Sequence, residues 1–169
     1  KNKFLKLGVL IPTFQEENNI RNTISIISNY LDENNIDYEI IVVDDHSSDA
    51  TEKIINKLKT NNKKINFYLN KNKKGFGNSI VMGVEKSNSD FISVMMADNS
   101  DSLNDLKKYY DMMNQDNSLD CVFGDRWIKG SVKNYPIFKK ILNRAGNYFI
   151  SKLFRVKYYG FTNSFKIYR

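Results

Sequence analysis

Apolar runs of strand length alternate along the chain with stretches in which apolar residues recur every three or four positions. Leu7-Gly8-Val9-Leu10-Ile11 reads as a first buried strand, stopped by Pro12. A polar loop over residues 13–17 leads into a helix whose apolar face is Ile20, Ile24, Ile27 and Leu31, broken at Asn34-Asn35. Residues 38–43 form the second strand. A helix capped by Ser48 or Asp49 then turns Ile54, Ile55 and Leu58 inward as far as about Lys59. Residues 65–69 make the third strand, 71–77 a basic loop with two glycines, 78–86 a short helix, and 91–97 the fourth strand. Leu103, Leu106, Tyr110 and Met113 mark a further amphipathic helix, and residues 119–123 the fifth strand. This β-α alternation with short connections predicts an α/β fold: a mostly parallel central sheet with helices on both faces.

After Gly124 the pattern changes. Residues 125–135 read as a loop, and a helix follows from Ile137 to about Phe154. Its stripe of Phe138, Ile141, Leu142, Ala145, Phe149 and Leu153 is flanked by Lys139, Lys140, Arg144, Lys152 and Arg155. Two readings are open for it: packing on the sheet, or lying on a membrane surface. Residues 158–169 read as a further extended segment. The chain then stops without a terminating element, so it is expected to continue in a longer protein.

The chemistry sits where strands end. Residues 91–97 run apolar into Asp98-Asn99-Ser100-Asp101, and residues 38–43 run apolar into Asp44-Asp45-His46-Ser47-Ser48-Asp49. In an open α/β sheet, ligands bind beyond the carboxyl ends of the strands. Two acidic strand ends there make an oxygen-rich pocket, suited to a hard cation or to sugar hydroxyls. Asp98 and Asp101 can point into one crevice, and Asp44 and Asp45 can hydrogen-bond a ribose or a base. The loop Lys71-Asn72-Lys73-Lys74-Gly75-Phe76-Gly77 precedes a helix, so its amides and lysines can face a phosphate. It matches neither G-x-x-x-x-G-K-[ST] nor G-x-G-x-x-G, and an ordinary turn would look much the same.

Composition narrows the classes. One cysteine, Cys121, and one histidine, His46, exclude an internal disulfide, a Cys-based zinc site and a multi-His metal centre. No apolar run approaches the roughly 20 residues of a bilayer span, and no signal-peptide pattern is present, which gives a cytoplasmic expectation. The net charge of +7 is uneven: residues 1–120 carry 15 Lys/Arg against 18 Asp/Glu, whereas residues 121–169 carry 11 against the single acid Asp125. A basic region of this kind favours anionic partners such as a phosphorylated lipid or an anionic membrane surface. It contains no nucleic-acid-binding motif, and no nucleic-acid partner is expected.

The chain resembles the family-2 glycosyltransferases of the GT-A fold, and within them the dolichol-phosphate mannosyltransferase or polyprenyl-phosphate glycosyltransferase group. The likeness is carried by Ile11-Pro12-Thr13-Phe14-Gln15-Glu16-Glu17-Asn18-Asn19-Ile20, by Ile41-Val42-Val43-Asp44-Asp45-His46-Ser47-Ser48-Asp49-Ala50-Thr51, by Lys74-Gly75-Phe76-Gly77-Asn78 and by Met96-Ala97-Asp98-Asn99-Ser100-Asp101. Phe123-Gly124-Asp125-Arg126-Trp127-Ile128-Lys129-Gly130 and Thr162-Asn163-Ser164-Phe165-Lys166 resemble the group's later motifs. The resemblance implies one catalytic domain over residues 1–169, with a nucleotide-binding part to about residue 123 and a basic acceptor-side part from about 124 to 169. Pro12, Phe14, Glu16, Asp44, Asp45, Lys74 and Gly75 would bind the nucleotide. Asp98, with Ser100, would hold Mg²⁺ or Mn²⁺ on the donor diphosphate. Asp98, Asp101 and Arg126 would be catalytic, and Arg126 and Lys139 would meet the acceptor phosphate. The sequence departs from the group at three places. Met96 stands where the D-x-D motif has its first Asp, and a thioether does not ligate a hard cation, so the metal site is weakened. Asp125 stands beside the phosphate arginine where Ser is usual, and Gly160 replaces a common acid.

The reaction so implied moves a sugar, with inversion, from a nucleotide-diphospho-sugar of the GDP-mannose or UDP-glucose type to a polyprenyl phosphate at the cytoplasmic face of a membrane. Region 121–169 offers no acidic pair to act as general base, and a phosphate acceptor, already an anion, needs none. Two alternatives stay open: transfer to a saccharide or glycolipid hydroxyl, and a degenerate nucleotide-sugar-binding module. A receiver-like signalling domain fits poorly, because its acidic pair belongs on the first strand and its acceptor Asp on the third, which here ends in Leu69-Asn70.

Overall fold

The computed structural model describes residues 5–71, 73–124, 137–156 and 164–169. They form β1 (Leu7–Thr13), α1 (Ile20–Glu33), β2 (Tyr38–Asp44), α2 (Thr51–Asn61), β3 (Ile65–Leu69), α3 (Phe76–Lys86), β4 (Phe91–Val94), α4 (Leu103–Gln115), β5 (Cys121–Phe123), α5 (Ile137–Phe154) and β6 (Lys166–Tyr168). The chain divides into two compact units, residues 1–122 with 165–169, and residues 123–164.

The first unit is a sheet in the order β3-β2-β1-β4-β6-β5. β1 pairs in parallel with β2 and β4, and β2 in parallel with β3, while β6 runs antiparallel to β4. Every residue of β1 and β2 is buried, as expected of central parallel strands covered on both faces. The two-residue period of the strands sorts the core. Leu7, Val9 and Ile11 face one side with Tyr38, Ile40 and Val42, against Ile20, Ile24, Ile27 and Leu31 of α1, Ile55 of α2 and Leu106, Tyr110 and Met113 of α4. Leu10, Ile41, Val43 and Val94 face the other side, against Met82 of α3.

Burial rather than capping holds the helices. Asn19 precedes α1 without a side-chain cap bond. A good cap contributes about 1 kcal/mol, whereas each of the four α1 side chains in the core contributes roughly 1.5–3 kcal/mol. Ser102 does cap α4, accepting from the Asp105 amide. Two helix starts differ from the sequence expectation. Ala50, not Ser48 or Asp49, is the cap residue of α2, although Asp49 still receives the Thr51 amide at 3.0 Å. α3 begins at Phe76 rather than at residue 78, because Gly75 takes φ 148° and turns the chain in a conformation that side-chain-bearing residues rarely adopt.

β4 ends at Val94, short of the expected residue 97. The Met95 amide still bonds to Leu10 O, but the Met96 amide is taken by Asp101. In the second unit, α5 spans the expected range, and its stripe is open to solvent: Phe138, Ile141, Leu142, Phe149 and Leu153 are all exposed. Among the described residues no helix is long and apolar enough to cross a membrane.

Candidate active site

Winding fixes where a site can form. From β1 the chain moves outward to β2 and β3, then returns past β1 to β4, so the strand order reverses at the boundary between β1 and β4. A switch point of this kind leaves a crevice at the carboxyl ends of the strands. The loops that open there belong to β1, β2 and β4, three adjacent strands. Each contains a non-glycine residue in the left-handed region: Gln15 (φ 57°), His46 (φ 64°) and Asn99 (φ 59°). Such turns are uncommon outside glycine and concentrate at functional loops.

The β1 and β2 loops are stitched together. The Gln15 amide donates to Ser47 Oγ at 2.8 Å, the Glu16 amide to Thr51 Oγ1 at 2.9 Å, and the Glu17 amide to Asp49 at 3.2 Å. In return the Ala50 amide donates to Glu17 at 2.9 Å. Pro12 is buried in β1, Glu16 is half-buried with its carboxylate accepting from Asn19 Nδ2, and Phe14 is 43% exposed.

The two acids after β2 differ in their employment. Asp44 is buried and consumed internally, accepting from Thr13 Oγ1 (3.2 Å), from the Ser47 amide (2.8 Å) and from Ser47 Oγ (2.5 Å). It shapes the turn. Asp45 reaches across to the β3 loop, accepting from Asn70 Nδ2 at 2.8 Å and from the Gly75 amide at 2.9 Å. Asn70, wholly buried directly after β3, was not picked out by sequence reasoning; its one sequence signal is a polar residue closing an apolar run. Lys74 lies over the β1 loop, its Nζ 3.7 Å from the centroid of the Phe14 ring. Pro12, Phe14, Glu16, Asp44, Asp45, Lys74 and Gly75 thus come together at one edge of the crevice.

Asp98 stands at the other edge, exposed, with Oδ1 accepting from the Ser100 amide at 3.0 Å. Asp101 turns back to receive the Met96 amide at 2.8 Å, which pins the turn that presents Asp98 and Ser100. Thr23 of α1 holds the same turn from below, donating to Ala97 O at 2.5 Å. Among the described residues no three acids, histidines or cysteines gather into a metal cage. Mg²⁺ and Mn²⁺ that arrive with a diphosphate need no cage: one or two carboxylates with phosphate and water oxygens complete the shell. Exposed Asp98 meets that requirement, with Ser100 beside it and Met96 offering nothing to a hard cation. The residues therefore fit a cation carried by a diphosphate ligand. Asp125, Arg126 and Gly160, and the side chain of Lys139, lie outside the described residues.

With this geometry in place, the chain can be set beside known proteins. The family model for glycosyl transferase family 2 matches residues 8–169. The chain is 29% identical over 142 residues to a dolichol-phosphate mannosyltransferase from Pyrococcus furiosus, over 83% of this chain and 39% of that protein. Among solved structures it is similar to a mannosyltransferase from Pyrobaculum calidifontis in complex with GDP-Man and Mn²⁺, with a TM-score of 0.61 and 16% identity over 86% of this chain and 40% of that one. It is also similar to glucosyl-3-phosphoglycerate synthase from Mycobacterium tuberculosis in complex with Mn²⁺, uridine-diphosphate and phosphoglyceric acid, with a TM-score of 0.72 and 14% identity over 97% of this chain and 55% of that one. At such identities the two structures speak to fold. The chain spans about two-fifths of the length of the dolichol-phosphate mannosyltransferase.

Proposed function

The chain belongs to glycosyl transferase family 2 and has the GT-A fold, and on that premise we propose that it transfers a sugar, with inversion, from a nucleoside-diphosphate donor to a polyprenyl phosphate at a membrane surface. The observation that carries this reading is the meeting of Phe14, Asp45 and Asp98 on three adjacent strand ends at the switch point. An aromatic shelf, a loop-holding carboxylate and an exposed carboxylate are the parts a nucleoside diphosphate needs. Donors of the GDP-mannose and UDP-glucose types both fit, and the neighbours' bound GDP-Man and uridine-diphosphate keep both in play.

The base and ribose would lie along Pro12, Phe14 and Glu16, beside the Asp45–Gly75 contact. Asp98, with Ser100, would hold Mg²⁺ or Mn²⁺, which when bound offsets the charge growing on the leaving diphosphate. Asp101 acts through the backbone, keeping the turn in shape. The anomeric C–O bond to the diphosphate breaks as a bond to the acceptor oxygen forms on the opposite face, and the nucleoside diphosphate departs with the electron pair. A phosphate acceptor arrives already anionic, so no general base is required, and Arg126 and Lys139 would neutralise it.

Three features support a membrane-surface acceptor. Residues 121–169 are strongly basic, α5 exposes Phe138, Leu142 and Phe149, and the Pyrococcus relative is named for a lipid phosphate. An amphipathic helix of this kind can rest in a lipid headgroup layer, and on this reading the transfer takes place as a peripheral contact at the cytoplasmic face. Met96, in place of a metal-binding acid, favours one second reading, a nucleotide-sugar-binding module without transfer.

The test has two stages. Calorimetric titration with GDP and UDP, with and without Mn²⁺, should show cation-dependent binding of one of them, lost in Asp98→Ala. Radiolabelled donor should then pass its sugar to polyprenyl phosphate in vesicles. Transfer to a neutral saccharide with polyprenyl phosphate ignored would sink the acceptor assignment, and binding without any transfer would favour the module.

A further inference from the structure

We propose that Lys74 is the resident occupant of the Phe14 shelf, so that its ammonium and a nucleobase compete for one aromatic face and an arriving nucleotide lifts the lysine toward its phosphates. The inference rests on the nucleotide-binding reading above.

Lys74 Nζ sits 3.7 Å from the Phe14 ring centroid, well inside the range of a direct cation–π contact. Lys64 also lies over a ring, that of Tyr38, but its ammonium is shared with Asp32 at 2.7 Å. Among the described residues no ion pair joins Lys74 to a carboxylate, and the Phe14 ring is its close partner. One benzene face offers room for one stacked group, so base and ammonium exclude each other there.

The neighbouring backbone keeps the displaced lysine close. The next residue, Gly75, is tied by its amide to Asp45 and is the cap residue that precedes α3. A displaced side chain therefore swings about a backbone held at Gly75, with Lys71 and Lys73 close by in the sequence. Loss of the ring contact is then compensated by a phosphate, a stronger partner for an ammonium than a benzene face. A nucleoside without phosphate must remove Lys74 with nothing in return. The device therefore penalises bare nucleosides and selects ligands that carry both base and diphosphate.

Lys74→Ala is expected to tighten binding of guanosine or uridine by about two- to five-fold, the worth of an exposed cation–π contact. The same change should weaken GDP or UDP, so that the preference for diphosphate over nucleoside falls. An independent readout needs no ligand. The Lys74 Hε resonance, assigned by its loss in Lys74→Arg, should be ring-current shifted in the protein alone. It should return to its ordinary position in Phe14→Leu, and on addition of the nucleoside diphosphate. An unshifted resonance in the protein alone overturns the proposal, as does a nucleoside affinity that is unchanged or weaker in Lys74→Ala. Diphosphate binding with the resonance unmoved overturns this inference while leaving the functional reading standing. Failure of the wild-type protein to bind either diphosphate overturns both.

Discussion

Asp45 accepts the amide of Gly75 on both carboxylate oxygens, at 3.1 and 2.9 Å, and so ties the end of β2 to the start of α3. The bond is charge-assisted, and Asn70 adds a second donor from the end of β3. A single side chain thus joins the loop after β2 to the loop between β3 and α3. Hydrogen bonds to a charged group contribute roughly 1.5–3 kcal/mol, so Asp45→Ala should lower stability by about 2 kcal/mol. Urea denaturation reads the loss. Hydrogen exchange locates it, since the Gly75 amide should lose protection while the β1 amides keep theirs.

Gly75 is needed for its backbone and not for space. Its φ of 148° lies where side-chain-bearing residues rarely go, yet an added Cβ would meet nothing nearer than Asn78 Nδ2 at 3.8 Å. Gly75→Ala should therefore cost about 1–3 kcal/mol as pure backbone strain. Gly77, two residues on and inside α3, has an open Cβ position. Gly77→Ala should stabilise by about 0.5–1 kcal/mol through helix propensity. Opposite shifts in thermal midpoint check the pair, and equal shifts would contradict the argument.

The parts of this site that were legible in the sequence are those written in local pattern. The apolar runs before Asp44 and Asp98 give the strands, and the four-residue stripe of Ile20, Ile24, Ile27 and Leu31 gives α1, because burial dominates both. Features decided by the choice of a particular hydrogen-bond or pairing partner were not legible. β6 falls within the segment 158–169 that reads as extended, but its place beside β4 is fixed by the Ile92–Tyr168 and Ser93–Ile167 pairs, which no local pattern announces. β4 stops early because Asp101 takes the Met96 amide, a competition invisible in an apolar run that continues to Ala97. Asp44 and Asp45 look equivalent as neighbours. Only the fold assigns one to a turn and the other to the neighbouring loop between β3 and α3.

Gly83 presents the opposite case to Gly75. Its backbone is ordinary helix, but a Cβ there would overlap the Leu10 side chain, where α3 lies against β1. Gly83→Ala should destabilise by about 1–3 kcal/mol through overpacking. Leu10→Ala alone should cost about 2–5 kcal/mol as a cavity. Combined, the added methyl partly fills the space vacated by leucine, so the double variant should lose less than the sum of the two. A double-mutant cycle by chemical denaturation measures that coupling, and strict additivity would refute the close contact.

Glu39 sets a pH dependence at the far end of the sheet from the crevice. It is buried at the start of β2, where Oε1 accepts from Ser87 Oγ (3.1 Å), the Asn88 amide (2.7 Å) and Ser89 Oγ (2.7 Å). Oε2 accepts from Asn66 Nδ2 at 3.1 Å and lies 3.6 Å from Lys6 Nζ. Burial pushes the carboxyl up, but the bonds from Ser89 and Asn88, the Lys6 charge and the Ser87 bond together outweigh it and hold the group below its ordinary value of 4.5. A depressed native pKa means that the unfolded chain binds more protons in acid. Stability from Glu39 is therefore fully present above about 4.5 and lost as pH falls through the lower native value. Glu39→Gln keeps the shape but removes the charge and one acceptor, and should cost about 1–3 kcal/mol near neutral pH. The gap between wild type and variant in urea midpoint should close progressively as pH falls below 4.5. A gap that stays constant over that range would mean that Glu39 contributes by packing and not by its charge.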